Sequence, residues 1–553
     1  MDTRVKELIK QGDHLFTKKQ VLLSLYQEQA DHFYPERADF TVARNLGDDF
    51  ASNLTTSFPI LARRELGSAV SAMLRPNNQD WYNMTIGHQD NIDVAGKGWL
   101  EHKSKVMRRA MYDRSSLFVR ATKEADQDFV TFGNAVISTE LNRTRTGLLY
   151  RCWHLRDVAW KENNEGKVDC IHRRWKPTAR ELAQTFGKDN LHQKVKECLD
   201  DASKNPYTQF NCRHIVMPAD LYRTMKDDEG ARVNTPYVGI YIDVDNNHVI
   251  EETPLYYTFY SVPRWQTVSG SQYGYSPATV AALPDARLIQ AMTLTLLEAG
   301  EKAVNPPMIA QGDVVRSDIS IFAGGVTWVD KEYDERLGDS LRPISQDYSS
   351  LPFGLDMRED IKSTIMEAFY LNKLNLPPTN TGDMTAYETA QRVQEYIRNA
   401  LPLFEPMEMD YNGSVCEHTF EILMREGAFG SVYDMPESLR GQEVQFKFES
   451  PLHEAVEKQK GHTFMEAKAM LAEAAALDPG AAHMVDARKA LRDVLEGIGM
   501  PAKWTRDEAA MQEIEAQMQE KQQQAEMMEN MEQGGKAAAQ MGKALKEVSQ
   551  VQQ

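Results

Sequence analysis

Residues Leu371 to Arg398, LNKLNLPPTNTGDMTAYETAQRVQEYIR, decide how this chain is read. Leu376-Pro377-Pro378 stops a helix, because each proline removes a backbone donor and biases the residue before it toward extended conformations. Asn380-Thr381-Gly382 supplies turn chemistry, and Asp383 or Thr385 can cap the next helix. Beyond it, Ala386, Ala390, Val393, Ile397 and Leu401 recur at spacings of three and four and mark one face of a long helix. A rigid polar loop therefore stands between two helices. On these residues alone it is either a projecting element or an ordinary helix-loop-helix corner.

The flanking sequence supplies two struts. Ser276 to Val304 reads as a helix roughly 40 Å long, with proline at its start and Asn305-Pro306-Pro307 at its end. Leu355 to Leu374 reads as a second helix of about 30 Å. Between them, residues 305 to 352 carry β-favouring stretches such as Ile319-Ser320-Ile321 and Val326-Thr327-Trp328-Val329, broken by Gly312, Gly324-Gly325, Gly338 and Pro343. That order predicts a small β-rich module at the tip of two antiparallel helices.

The rest of the chain alternates. Residues 1 to about 130 read as mainly helical, with breaks at Tyr34-Pro35 and Pro59, and Ala62, Leu66, Ala69, Val70 and Met73 at helix-face spacing. From 134 to 175 the pattern turns to strands: Ala135 to Leu141 and Leu148 to His154 flank one turn, and Asn163 to Gly166 makes the next. Thr178 with Glu181 predicts a capping box, and Gly187 ends that helix. Further strands are expected at Gln209 to Met217 and Tyr237 to Asp243. Residues 429 to 449 read as an irregular connector holding the alternating run Val444 to Phe448, with helix again over 453 to 498. Thr505 to Glu508 is a second capping box, and Met511, Ile514, Met518, Lys521, Ala525 and Met528 lie near a heptad seam.

Composition bounds the class. The chain has 553 residues, 42% of them apolar, enough for several cores. No run approaches eighteen uninterrupted apolar residues, and Met1 to Phe16 is charged and helical, so neither a membrane span nor a signal peptide is expected. Five cysteines without close pairing suit a reducing compartment. A net charge of −18 argues against an ordinary sequence-specific nucleic-acid binder, yet an acidic surface with few basic groups would let a duplex slide. Cys152/His154, Cys170/His172 and Cys212/His214 each skip one residue in a predicted strand, which is not zinc-ligand spacing, so no metal is expected. No phosphate-binding Gly-x-x-x-x-Gly-Lys-Ser/Thr loop, His-Glu-x-x-His or Gly-x-Ser-x-Gly is present. Neither an enzymatic activity nor a cofactor is expected.

The order strut, β-rich tip, strut, Pro-broken loop, long helix resembles the stem, clip, stem, tunnel loop and backbone helix of bacteriophage portal proteins, or head-to-tail connectors, of the short-tailed, podovirus type. Several phrases carry the resemblance across nearly the whole chain: Ser57-Phe58-Pro59, Met73-Leu74-Arg75-Pro76, Asp80-Trp81-Tyr82, Glu165 to Asp169 with Arg173-Arg174, Thr178 to Leu182, Pro263-Arg264-Trp265, Tyr273 to Pro277, Leu283-Pro284-Asp285 and Glu449 to Leu452. One departure is Tyr275, where related sequences often carry a basic residue.

The resemblance implies an α+β portal fold: wing over 1–274, stem helices over 275–304 and 353–374, clip over 305–352, tunnel loop over 375–385, backbone helix over 386–428, connector and helical crown over 429–504, and a C-terminal helical tail over 505–553. It implies a ring of about twelve copies at one capsid vertex. Double-stranded viral DNA would pass through that ring. The terminase large subunit would dock first and head-tail adaptor and tail proteins later, and assembly would involve the major capsid and scaffolding proteins. Within it, Arg287, Lys302, Arg358 and Lys362 would be the basic groups of the duct. Lys373, Asn375, Leu376, Thr379, Asn380, Thr381 and Asp383 would belong to the loop that narrows it. Val314, Arg316, Asp318, Trp328 and Tyr333 would meet partners at the clip. The rival readings are a capsid scaffolding or internal core protein, and a phage nuclease or other DNA-processing enzyme.

Overall fold

The structure, a computed structural model, describes residues 3–45, 54–76, 79–87, 93–201, 203–226, 235–304, 306–310, 341–343, 351–374, 406–449 and 464–473, with isolated positions elsewhere. The chain divides into two compact units. The larger holds Met1–Trp81 and Met107–Ala428, and the smaller holds Tyr82–Val106, Phe429–Glu449 and His453–Gln553.

In the larger unit α1 (Thr3–Phe33) buries Val5, Leu8, Leu15, Phe16, Tyr26, Ala30 and Phe33, a stripe at helical spacing. That stripe packs on a five-stranded antiparallel sheet, β4 (Val158–Glu162), β5 (Val168–Trp175), β6 (Cys212–Pro218), β7 (Tyr237–Asp243) and β8 (His248–Leu255), in that order. Lys19 fixes the register of helix on sheet. Its buried ammonium donates to the carbonyls of Leu155 at 2.6 Å and Val158 at 2.7 Å and stands 4.9 Å from the centre of the Trp160 ring. Gly12 permits the close approach, since a Cβ there would lie 2.7 Å from Nδ1 of His172 and closer still to the Arg213 guanidinium.

Beside this sheet, β2 (Ile137–Leu141) pairs on one side with β3 (Leu148–Cys152) and on the other with β9 (Tyr260–Ser261). The turns expected from the sequence stand where strands β2–β3 and β4–β5 reverse. Thr178 and Glu181 exchange both bonds of the capping box at the start of α5 (Ala179–Phe186), and Gly187 ends it at φ +80°. Strand β8 and the helices α6 (Gln193–Asp200) and α7 (Ala219–Lys226) are additions to the sequence expectation. Each is short, and the alternation in β8 is interrupted by Glu251-Glu252 and Pro254.

Two helices, α2 (Phe58–Leu74) and α4 (Phe118–Phe132), pack on each other. A buried ion pair joins Arg75, just past α2, to Asp126 on α4. Arg75 also donates to Oδ1 of Asn412 at 2.7 Å and lies over the Tyr411 ring, while Asn412 donates to the Leu74 carbonyl at 3.0 Å. Three separated segments meet there: residues 74–75, 126 and 411–412. At the other end of α4, Gly133 at φ +73° lies so close to Tyr275 that a Cβ would fall 2.6 Å from the Tyr275 carbonyl carbon. Asn134 completes this junction, accepting from Gly274 N–H at 2.8 Å and donating to the Gly274 carbonyl at 2.9 Å and to the Tyr26 hydroxyl at 2.8 Å. The Tyr-Gly phrase that carries part of the family resemblance is therefore a backbone contact site.

The first strut runs from Ala278 to Val304. Its first turn, Ala278–Ala282, is a widened π-turn, and α8 (Leu283–Val304) continues it. Pro284 explains the widening: it has no N–H to offer the Val280 carbonyl, and its ring would press on that group in a regular helix. The second strut departs from the sequence expectation. Instead of one helix over Leu355–Leu374, α9 (Leu351–Ala368) stops, Tyr370 takes φ +58°, and α10 (Leu371–Leu374) restarts. Phe369 is fully buried, edge-on to Phe33 at 5.5 Å, and Leu371 is buried as well. Core packing thus wins over helix continuation. At the far ends of α8 and α9, β10 (Met308–Ala310) and β11 (Leu341–Pro343) pair antiparallel. The expected backbone helix from 386 to 401, the crown over 453–463 and 474–485, and the capping box at Thr505 lie outside the described residues.

In the smaller unit β1 (Tyr82–Ile86) pairs antiparallel with β12 (Val444–Phe448). The run at 444–448 reads as alternating, whereas its partner sits in a stretch that reads as helical. Ser104, on the helix α3 (Val94–Met111), accepts from the Met84 N–H at 2.9 Å and donates to the Leu100 carbonyl at 2.9 Å, which ties strand to helix.

Candidate functional site

The struts carry the chemistry that can be placed. Helix α8 buries Leu283, Ala286, Ile289, Gln290 and Thr293 on one side. Gln290 anchors its root, with Oε1 accepting from the Thr55 N–H at 2.8 Å and the Thr56 N–H at 3.0 Å and Nε2 donating to the Thr56 carbonyl at 2.9 Å. Apolar side chains elsewhere on the helix are uncovered: Leu288 on the side away from that root and Leu294, Leu297 and Val304 further along are 47%, 49%, 56% and 88% exposed. On α9, Phe353 at 66%, Leu355 at 46% and Met357 at 43% are uncovered as well, while Ile361 and Ile365 are buried. The two helices touch where Gly354 faces Leu296, since a Cβ on Gly354 would lie 2.9 Å from the leucine. So many large apolar side chains left in water along two paired helices mark an interaction surface.

Helix Ala278–Val304 is also long and apolar enough to cross a membrane by length and composition, with a mean hydropathy of 1.2 over eighteen residues. This differs from the expectation of no span, which rests on the lack of an unbroken apolar run. The isolated charges Asp285 and Arg287 break the run and hide the average. Of that window 28% is buried within the protein.

The expected basic groups are dispersed along the struts. Arg287 pairs with Glu28 of α1, Nε to Oε1 at 2.6 Å. Arg358 and Lys362 both meet Glu359, at 3.4 and 2.6 Å, and the Lys362 ammonium lies 5.7 Å from the Phe58 ring. Lys302 is exposed in the last turn of α8. Lys373 is exposed on α10, 5.8 Å from the Tyr370 ring. The charges at 287, 358 and 362 thus stand beside carboxylates, and the structure does not gather the basic groups into one cluster. Asn375, Leu376, Thr379, Asn380, Thr381 and Asp383 lie outside the described residues, as do Val314, Arg316, Asp318, Trp328 and Tyr333.

The three Cys-x-His pairs are built into the sheets of the larger unit and their borders. Cys170 packs with Val5 and Leu8, and burial pushes its thiol up to about 12. Cys212 packs with Leu182 and Phe210 in a different cluster. Cys152 approaches Asp128 at 3.7 Å, where burial and that carboxylate raise its thiol. His214 stacks on Tyr241 at 4.0 Å, and its Nδ1 shares a 2.6 Å hydrogen bond with the Tyr260 hydroxyl. Because Arg173 Nε already donates to that hydroxyl at 2.9 Å, the hydroxyl proton points to the histidine. Among the described residues no group of three or more His, Cys, Asp or Glu is placed to hold a metal.

A unit of sheet and helix, two paired struts and a β-pair at their far ends make up the larger part of the described chain. Residues 5–505 match the family model of bacteriophage head to tail connecting proteins, and the chain belongs to that family of portal proteins. It is similar to a probable portal protein of Bordetella phage BPP-1, 25% identical over 82% of this chain and 80% of the relative. It is also similar to a portal protein of Salmonella phage epsilon15, 22% identical over 99% of this chain and 96% of the relative. A solved neck of an empty GTA particle, computed with C6 symmetry, aligns over 85% of this chain and 99% of its own at 11% identity and a TM-score of 0.34. The α+β character expected from the sequence is the one observed.

Proposed function

We propose that the chain forms a closed ring of about twelve copies at a capsid vertex, the head-to-tail junction of a phage particle. Double-stranded DNA passes through that ring during packaging and ejection. The terminase large subunit docks there during packaging, head-tail adaptor and tail proteins bind later, and the ring nucleates assembly with the major capsid and scaffolding proteins. The observation that carries the reading is the uncovered apolar side chains of the paired struts, from Leu288 to Val304 and from Phe353 to Met357, in a chain of this family. A monomer leaves that surface in water, whereas a neighbouring copy covers it, and a heterologous contact of this kind closes into a ring. A scaffold of extended helix would have no use for a five-stranded sheet packed under α1.

In this reading the wing, stem, clip, tunnel loop, backbone helix, crown and tail occupy the segments that the family resemblance implies. The duct is lined by Arg287, Lys302, Arg358, Lys362 and Lys373 together with the loop beyond it, and Val314, Arg316, Asp318, Trp328 and Tyr333 meet partners. Charges already paired with Glu28 and Glu359 grip phosphate weakly, which suits a duct through which DNA must slide.

Electron micrographs of the purified chain test the ring. Closed rings with a central hole are expected, and monomers or dimers under conditions that preserve folding would refute the assembly. Deleting Leu376–Asp383 tests the loop. Rings are expected to persist while packaged genome leaks or fails to enter. Normal packaging and retention would remove the loop from the duct.

A further inference from the structure

The charge of the larger unit is unevenly spread. Residues 107–123 hold five cations, Arg108, Arg109, Arg114, Arg120 and Lys123, against the single carboxylate Asp113, in a chain whose net charge is −18. Arg108 is taken up by Asp80, and Arg120 meets Glu124 at 3.1 Å while remaining 75% exposed. Arg109, Arg114 and Lys123 are exposed. The Asp113 carboxylate is turned inward on its own loop, accepting from the N–H of Ser115 at 2.8 Å and from its hydroxyl at 2.5 Å.

Lys123 stands at the edge of a cleft of about 680 Å³ between α2 and α4. One wall is made of the small residues Gly67, Ser68, Ser71 and Ala72, and the buried Arg75–Asp126 pair lies among its lining residues. The Ser68 hydroxyl donates to the Arg64 carbonyl at 3.0 Å, which leaves Ser71 as the wall's hydroxyl donor for a phosphate oxygen. Exposed arginines match phosphate with two parallel N–H groups.

We propose that the α2–α4 cleft and the basic segment Arg109–Lys123 form a second contact for double-stranded DNA, made to the phosphate backbone and separate from the strut and loop residues. It rests on the reading of the chain as a DNA-conducting connector and names another surface that DNA meets. The acidic remainder of the chain repels a polyanion, so the duplex is directed to this patch. An acidic peptide is the competing occupant. The rigid forks of Arg109 and Arg114 favour phosphate.

The test is fluorescence-anisotropy titration of the full chain with a duplex of mixed sequence, from about 50 to 200 mM salt, beside the triple variant Arg109→Gln, Arg114→Gln, Lys123→Gln. These side chains are exposed, so the fold is expected to persist. Losing three phosphate contacts is expected to reduce the slope of log affinity against log salt by about 2.7, equally for duplexes of different sequence. A variant Lys373→Gln, altered only on α10, is expected to keep the patch's share of the slope. The proposal is overturned if the triple variant retains the wild-type slope and affinity, if the wild-type chain binds no duplex, or if poly-glutamate displaces the duplex at equal charge concentration. Ring formation in the same samples, scored by microscopy, reports on the assembly reading alone.

Discussion

Asp126→Ala is expected to cost the larger unit about 3–5 kcal/mol, because it strands the Arg75 guanidinium in the core without a counter-charge. The side chains of Arg75 and Asp126 are 4% and 0% exposed, so water does not replace the lost partner. Arg75→Ala is expected to be comparably damaging, since it also frees Asn412 from a 2.7 Å bond and removes the cation from the Tyr411 ring. The double variant Arg75→Met, Asp126→Leu should recover most of the loss, because a buried pair exchanged for apolar groups of similar volume is often neutral or better. Urea midpoints of the three variants decide the matter. A single variant that unfolds at the wild-type midpoint would show that the pair is not what joins α2, α4 and residues 411–412.

Acid should destabilise the protein before ordinary carboxylates titrate. Burial, with Arg213 alongside, lowers His172 to about 3, and burial lowers His418 to about 3. Burial, with Arg173 and His172 alongside, drives His214 well below its usual value. All three stay neutral in the folded chain while the unfolded chain takes up protons below about 6.5. Stability is therefore complete above about 6.5, falls as pH drops through the interval down to about 3, and levels off below it. His172 and His418 each contribute about 1.4 kcal/mol per pH unit in that interval, so about 3 kcal/mol should vanish between about pH 5.5 and 4.5, with His214 adding in the same direction. His418→Gln, which can still meet a hydroxyl of Thr258 or Ser261, should flatten the slope by about a third. Stability that does not change from about pH 6.5 to 4.5 would show these rings to be protonated or solvated in the fold.

What the sequence makes legible and what it hides have physical causes. The turns at 142–147 and 163–166, the capping box at Thr178 and the first strut are readable because each rests on local chemistry: turn residues, a Thr-x-x-Glu spacing, a long periodic run. The break at Tyr370 is not, because it is imposed from outside by the seat of Phe369 on Phe33. Strand β1 is hidden for a similar reason. The residues Tyr82–Ile86 form a strand only because Val444–Phe448, far along the chain, pair with them. The buried role of Arg75 is present in the phrase Met73-Leu74-Arg75-Pro76, but a charged residue before a proline does not announce burial. Of the site, the struts are found from periodicity, and the basic segment at 107–123 escapes a reading in which net charge is taken over the chain as a whole.

The left-handed residue at Tyr370 also decides where force goes. A helix running unbroken from Leu351 to Leu374 would act as a push-rod, passing any axial load on the strut straight to the residues after it. With the rod cut at Tyr370 and its end seated by Phe369 on Phe33, load along α9 is diverted sideways into α1 and, through the bond from Arg63 to the Phe33 carbonyl at 3.0 Å, into α2. Helices α1 and α2 are thereby the abutment of the strut, and α10 is spared the thrust.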